Sequence, residues 1–327
     1  RVVGVHHSTV SRVLNPSAKT PSTSKFARKI TETAKEMGYY PNLTAASLKN
    51  NQSFAVGLLI PSLVNPLFPS IIRGIQDEAE KHHYSLIAVN TDDDIDKEFR
   101  ALEMMRSRSL DGVMIATARR EDPVVQACID SQIPFVLINR TVDKHEVSAV
   151  LVDEDFGMRS TIDHLYGMGH KRIAHISGSL STSTGYERER QFREYMTSKN
   201  LDASMVETTE RFTADEGYSA FRRLLAKHKD FTAVVACSDV CALGCMDAMA
   251  EMGLSVPSNI SVIGNNDIPF LSRMNPGLTT VSVPKYEMGQ EAFKLLLKQM
   301  DNPSEEPEEI RLIPRLIIRE SSGPVLT

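Results

Sequence analysis

Residues His7–Asn15 (HSTVSRVLN) carry the densest set of interaction chemistry in this chain. Read as a helix, the segment puts Val10, Val13 and Leu14 on one face and His7, Ser8, Ser11 and Arg12 on the other. The apolar face can pack on neighbouring helices. The other offers short hydrogen-bonding side chains and a guanidinium, a set suited to base edges and phosphates in a major groove. Most faces of this composition are merely solvated. Pro16 ends the segment, and Ser22 is expected to cap a second helix with Phe26, Ile30, Ala34 and Met37 as its buried stripe and Gly38 as its stop.

Other chemistry is thinner. Cys237, Cys241 and Cys245 fall at i, i+4 and i+8, one stripe of a helix that begins early enough. They lack the Cys-x-x-Cys pairs or spaced His of a zinc site, so buried reduced thiols are expected there and at Cys128, with no metal. The Asp92–Asp96 run lacks the glycine and terminal Glu of an EF-hand and reads as a solvated loop. The pairs His6-His7 and His82-His83 point apart on a helix. No phosphate loop, dinucleotide fingerprint, His-Glu-x-x-His or nucleophile elbow occurs, so neither an enzyme nor a cofactor is expected.

The elements that must position these groups come from length and pattern. The chain has 327 residues, room for about two domains. With 41% hydrophobic and 24% charged residues it reads as globular rather than disordered or low-complexity. Apolar runs such as Ala55–Ile60 fall far short of a membrane span, and the first residues show no signal pattern, so a cytoplasmic location is expected. Charge is uneven. Residues 1–60 hold eight Lys/Arg against two Glu, whereas the whole chain is at −5. A basic head on an acidic body suits a head that meets a polyanion.

From Phe54 onward short apolar runs alternate with amphipathic stretches. Strands are expected at Phe54–Ile60, Tyr84–Val89, Gly112–Ala116 and Phe135–Ile138, with helices at Pro66–Lys81, Lys97–Arg108 and Pro123–Ser131 between them. A second series follows, with strands at Arg172–Ile176, Ala233–Ala236 and Ser261–Ile263. Its helices are expected at Phe156–Met168, Tyr186–Lys199, Asp215–Lys227 and Val240–Met252. This order implies an α/β protein of two doubly wound parallel-sheet lobes, with a ligand crevice where their strand ends meet.

Gly4–Asn15 (GVHHSTVSRVLN) and Glu36–Asn42 (EMGYYPN) strongly resemble the DNA-binding head of the lactose-repressor (LacI/GalR) family of bacterial transcription regulators. The resemblance implies a small all-α helix-turn-helix head. In it His7, Ser8 and Arg12 read bases, while Thr9, Ser11 and Asn15 hold the backbone. Only Arg1-Val2-Val3 matches the family's first helix, which is therefore expected to be truncated here. Asn42–Asn50 resembles the hinge helix, in which Leu48 would wedge into the minor groove; a plain linker is the alternative. Ala46 stands where the family commonly has Arg.

Blocks such as Val56–Pro61, Asn65–Phe68, Ser238–Gly244, Ser261–Gly264 and Arg315–Ser321 extend the likeness to nearly the whole chain and to periplasmic sugar-binding proteins. It implies a head at 1–40, a hinge or linker at 41–53, and an effector-binding and dimerisation unit at 54–327. Within that unit the N-lobe would be about 54–152 and 284–313, and the C-lobe about 153–283 and 314–327. By position, Leu67, Phe68, Asn139, Thr182, Thr184, Arg188, Phe212, Ser238 and Asn266 are the implied effector contacts. The family usually has Asp where Asn266 stands. A neutral amide there, with Arg188 and Arg140 nearby, points to an effector bearing a carboxylate or phosphate: an organic acid, sugar acid or sugar phosphate. The resemblance thus implies a homodimeric, ligand-responsive repressor on pseudo-palindromic operator DNA, without membrane contact. A small-molecule binding protein without DNA function is the alternative.

Overall fold

In this computed structural model, residues 3–6, 9–10, 13–14, 25–38 and 52–325 are described. His7, Ser8, Ser11, Arg12, Asn15, Ser22, Leu48 and the Asn42–Asn50 segment lie outside them. Thr9, Val10 and Val13 have helical backbone, and Leu14 N–H donates to the Val10 carbonyl at 2.9 Å. Helix α1 (Lys25–Glu36) buries Ile30 and Ala27. Met37, expected on its buried stripe, is 65% exposed, because the helix ends at Glu36 and Gly38 turns the chain away with φ +61°.

Two six-stranded sheets form the rest. The first runs β2 (Ser85–Asn90), β1 (Ala55–Ile60), β3 (Gly112–Ile115), β4 (Phe135–Ile138), β5 (Ala149–Val152) and β11 (Glu309–Leu312), all parallel. The second runs β7 (Val206–Thr208), β6 (Ile173–Ser177), β8 (Ala233–Ala236), β9 (Ser261–Asn266), β10 (Thr279–Ser282) and β12 (Arg315–Ile317), with β12 antiparallel to β10. The central strands read as continuous apolar runs (AVGLLI, FVLI, AVVA) because helices cover both faces of each sheet. The chain passes between the sheets after β5, after β10 and after β11.

The helices of the first lobe are α2 (Phe68–Lys81), α3 (Ile95–Ser107), α4 (Pro123–Asp130) and α9 (Lys285–Asp301). Those of the second are α5 (Glu154–Gly167), α6 (Ser183–Ser198), α7 (Ala214–Lys227) and α8 (Asp239–Glu251). α2 and α9 cross so closely that a Cβ on Gly74 would lie 2.1 Å from the Tyr286 carbonyl oxygen, and one on Gly289 2.1 Å from that of Ile71. Only glycine permits this crossing.

Several helices begin earlier than their apolar periodicity indicates, because a polar cap at the preceding strand's end starts them. Asp94 accepts from the Asp96 and Lys97 N–H groups, Thr182 from Gly185 and Ser238 from Cys241. A cap of this kind contributes about 1 kcal/mol. The Asp92–Asp96 run is thereby occupied in capping α3 and in pairing with Lys97. Cys241 and Cys245 lie on α8, but Cys237 precedes its cap, so the three do not form one helical stripe. All four cysteines are free and buried. Strands β5, β7 and β10, helix α9 and strands β11 and β12 escaped the sequence reading. β7 and β11 are short and half-polar, and Lys285–Asp301 lies beyond the last stretch read for periodicity.

Candidate functional site

The loops leaving the C-terminal ends of both sheets face each other across a crevice. Its innermost part is a pocket of about 30 Å³ lined by Asn65, Leu67, Phe68, Asn139, Arg140, Thr184, Arg188, Phe212 and Asn266. Seven of the nine implied effector contacts therefore meet in one place. Thr182 instead lines a neighbouring pocket of about 210 Å³, with its hydroxyl donating to the Ser179 carbonyl at 2.8 Å. Ser238 lines none of the described pockets, because its hydroxyl caps α8.

Arg188 is the most constrained of these groups. Its Nε and Nη2 donate to the two carboxylate oxygens of Glu154 at 2.7 and 2.6 Å, and Nη1 donates to the Cys237 carbonyl at 2.6 Å. Burial opposes the guanidinium's charge, but the Glu154 carboxylate outweighs it and holds the group above its ordinary value. These bonds use three of the five N–H donors, leaving two for the pocket. Arg140, 5% exposed, uses Nη1 toward Asp93 at 3.1 Å and the Thr117 carbonyl at 3.4 Å. No described bond engages its Nε or Nη2.

Asn139 follows β4 with φ +65°, a left-handed turn that asparagine tolerates better than most residues. Its Oδ1 is buried and has no hydrogen-bond partner. An unpaired buried carbonyl costs on the order of 1–3 kcal/mol, and a ligand hydroxyl or N–H would satisfy it. Asn266 ends β9 with φ +113°, and its carbonyl accepts from Lys285 Nζ at the start of α9.

Phe212 borders all three pockets of the crevice, and the Arg140 guanidinium stands 5.7 Å from its ring centroid. The ring fits only because residue 178 is glycine: a Cβ there would lie 2.6 Å from Phe212 Cζ. Outside Phe212 the crevice widens to about 510 Å³ between the 61–66 loop of the first lobe and residues on α7, α8 and the β9 loop of the second.

At the lip the lobes touch directly. Arg120 N–H donates to the Ser181 carbonyl at 2.8 Å, and its guanidinium lies 3.7 Å from the Tyr186 ring centroid. Thr141 N–H donates to Ser183 Oγ at 2.9 Å. Behind the site, burial pushes the Asp239 carboxyl up to about 6, although the Thr280 hydroxyl and Ile268 N–H both donate to it. Position-by-position reading missed Asn65, whose Oδ1 accepts from the Leu67 N–H at 3.0 Å. The Asn65-Pro66 dipeptide was the available turn signal.

Comparison with known proteins agrees with this geometry. Residues 162–322 match the family model described as a periplasmic binding protein-like domain. The chain is 31% identical to the ribose operon repressor of Halalkalibacterium halodurans, over 96% of this chain and 93% of that protein. It is 30% identical to catabolite control protein A of Priestia megaterium, over 98% and 97%. The structure of the lac repressor dimer bound to operator and the anti-inducer ONPF superposes with a TM-score of 0.85 at 25% identity, covering 98% of this chain and 96% of that one. The complex of the transcriptional regulator CelR with cellobiose gives 0.77 at 28%, covering 98% and 97%. Two parallel-sheet lobes behind N-terminal helices, aligned with these regulators over almost their full length, make the chain a member of the LacI/GalR family of ligand-responsive, DNA-binding transcription regulators.

Proposed function

We propose that this regulator is a cytoplasmic homodimeric repressor. Residues 1–40 act as its operator-binding head, 41–53 as its hinge, and the two lobes as sensor and dimerisation unit. His7, Ser8 and Arg12 would read bases, Thr9, Ser11 and Asn15 would hold phosphates, and Leu48 would wedge into the minor groove at the operator centre. The full-length relatives and the operator-bound lac repressor dimer support this reading. Its test is a salt-dependent gel shift on the DNA upstream of its own gene. Specific binding that Arg12→Ala weakens by roughly 1–3 kcal/mol is expected, and indifference to sequence would refute it.

The effector would occupy the crevice, touching Leu67, Phe68, Asn139, Thr184, Arg188, Phe212 and Asn266. Its chemistry follows from donor accounting. Two N–H groups of Arg188, the Nε and Nη2 of Arg140 and the amide nitrogens of Asn139 and Asn266 outnumber the amide oxygens available as acceptors. A donor-rich pocket selects an acceptor-rich ligand, so an organic acid, sugar acid or sugar phosphate fits better than a neutral sugar. The single observation that carries the site is the unpaired Asn139 Oδ1 inside that pocket. Thermal-shift screening of acids against neutral sugars tests the chemistry, and stabilisation by neutral sugars alone would refute it.

A further inference from the structure

We propose that Cys237 and Cys241 form a peroxide-sensitive dithiol, a modification site that closes to a disulfide behind the wall of the sensor pocket and loosens Arg188 when it does.

The pair sits where β8 gives way to α8. Cys237 is the first residue after the strand, Ser238 caps the helix, and Cys241 lies in its first turn with its N–H held by Ser238 Oγ at 3.2 Å. Both side chains turn into the same apolar cluster, and the two thiols are in hydrogen-bonding contact with Cys241 as donor. Their other polar neighbours stand at longer range: Cys237 Sγ is 3.9 Å from Thr209 Oγ1, and Cys241 Sγ is 3.5 Å from the Thr213 carbonyl oxygen.

The two sulfurs are not equivalent. The Cys241 thiol, and after it the Arg188 guanidinium, hold Cys237 below its ordinary value against the opposing effect of burial. The same contact and burial push Cys241 well above its own. Burial also raises Cys245, and it raises Cys128 to about 12. Of the four cysteines, Cys237 alone is biased toward the thiolate, the form that attacks, and a protonated thiol stands beside it to resolve the product. Access runs through the sensor pocket. Arg188 lines its inner part and donates Nη1 to the Cys237 carbonyl at 2.6 Å, so the cysteine backs onto that wall. The inner part, at about 30 Å³, admits a water-sized molecule, and hydrogen peroxide is scarcely larger.

In the first step the Cys237 thiolate attacks one peroxide oxygen. An S–O bond forms, the O–O bond breaks, and hydroxide leaves with the thiol's proton as water. In the second, Cys241 sulfur attacks the sulfenic sulfur of Cys237. The S–S bond forms, the S–O bond breaks, and hydroxide leaves with the Cys241 proton as a second water. Two thiols are oxidised by two electrons and one peroxide is reduced. The new bond draws Cys237 toward α8. The helix does not follow, because it is locked on α7, where a Cβ on Gly217 would lie 2.2 Å from the Cys241 carbonyl oxygen. The movement falls on the Cys237 peptide, whose carbonyl holds Arg188.

The test is titration of the reduced, full chain with hydrogen peroxide, followed by alkylation and cleavage before aspartate. Cleavage before Asp239 places Cys237 and Cys241 on separate peptides. Those peptides are expected to stay linked after oxidation and to part with dithiothreitol, at a peroxide dose roughly tenfold below the one that oxidises Cys128. Cys241→Ser should abolish the link and leave a sulfenic acid on Cys237 that dimedone captures. Hydrogen exchange of the oxidised parent should quicken over the first turns of α6, which carry Arg188. No link, a link that survives in Cys241→Ser because Cys245 makes it, or oxidation of Cys128 at the same dose would overturn the dithiol. Unchanged exchange in α6 would overturn its coupling to the pocket. If Cys241→Ser does not fold, the linked peptides of the parent decide. No readout uses operator or effector, so failure here leaves the proposed function untouched.

Discussion

Glu154→Gln offers the sharpest test of how the sensor site is built. The substitution keeps shape and one carbonyl oxygen but removes the charge that the buried Arg188 faces at 2.6 and 2.7 Å. The two side chains are only 4% and 10% exposed, so water does not replace what is lost. Taking one partner from a buried, doubly hydrogen-bonded pair costs about 3–5 kcal/mol, most of it the penalty of an uncompensated guanidinium. At about 2 °C per kcal/mol for a chain of this size, the ligand-free variant should melt roughly 6–10 °C lower. The same change should sharpen the response to acids. A carboxylate entering the pocket meets a guanidinium whose charge is no longer neutralised, so gluconate should raise the variant's melting temperature by more than it raises that of the parent. Differential scanning fluorimetry with and without ligand reads both effects. A ligand-free melting temperature within ~2 °C of the parent would show that the pair is not holding the site as argued.

Two pH effects of opposite sign follow from buried groups. Asp239 titrates near 6 when folded, above its ordinary value. The stability it contributes is therefore present below the unfolded value and is lost as pH rises through 6. The stability difference between parent and Asp239→Asn should shift by ~3 kcal/mol between pH 4 and 7 in urea titrations, and a constant difference refutes it. His175, pushed down to about 4 by burial, contributes stability above 6.5 that is lost as pH falls toward 4. His175→Asn keeps a donor for the Val235 carbonyl and should flatten that acid limb by a similar ~3 kcal/mol in the same titrations. Gly289→Ala forces a Cβ onto the Ile71 carbonyl, a backbone atom that no rotamer change can move, and should cost about 1–3 kcal/mol or more in chemical denaturation. Arg120→Ala removes the lip contact with Tyr186, and small-angle scattering of the ligand-free protein should show a more open body.

Much of the fold was legible because parallel strands covered on both faces leave unbroken apolar runs, and Phe54–Ile60, Phe135–Ile138 and Ala233–Ala236 are such runs. Strand β7 (VET) is short and half-polar at a sheet edge, where no such signal exists. Position-by-position reading expected Asn139, Arg188 and Phe212 along the crevice, and all three line its inner pocket. Ser238 lies outside the described pockets, because a serine after a strand and before a helix is equally a cap, and its hydroxyl caps α8. Nor could sequence show that Arg188 is already paired. Glu154 lies 34 residues away, and only the fold brings the two together.

That pairing also bears on how a ligand could move the lobes. The direct lip contacts, Arg120 on Leu180, Ser181 and Tyr186 and Thr141 on Ser183, are two short hydrogen bonds of about 1 kcal/mol each, a third from the Arg120 guanidinium to the Leu180 carbonyl that at 3.5 Å adds little, and one stacked guanidinium of about 0.5–1 kcal/mol. Together they favour closure by about 2–3 kcal/mol before any opposing strain is counted. Turning a two-state balance from one extreme to the other takes about 5.5 kcal/mol of differential binding. Lip and ligand are therefore matched in scale, and neither makes the other irrelevant. The segment that carries the lip contacts, residues 180–186, also carries Thr184 of the inner pocket and leads through the first turns of α6 to Arg188. A ligand that pulls on Arg188 acts on the helix whose first turn forms the lip, so filling the crevice and changing the angle between the lobes become one event. Arg120→Ala separates the two contributions. If the lip shares in closure, the variant should bind effector several-fold more weakly at equilibrium and admit it faster, and stopped-flow rates identical to the parent's would refute the coupling.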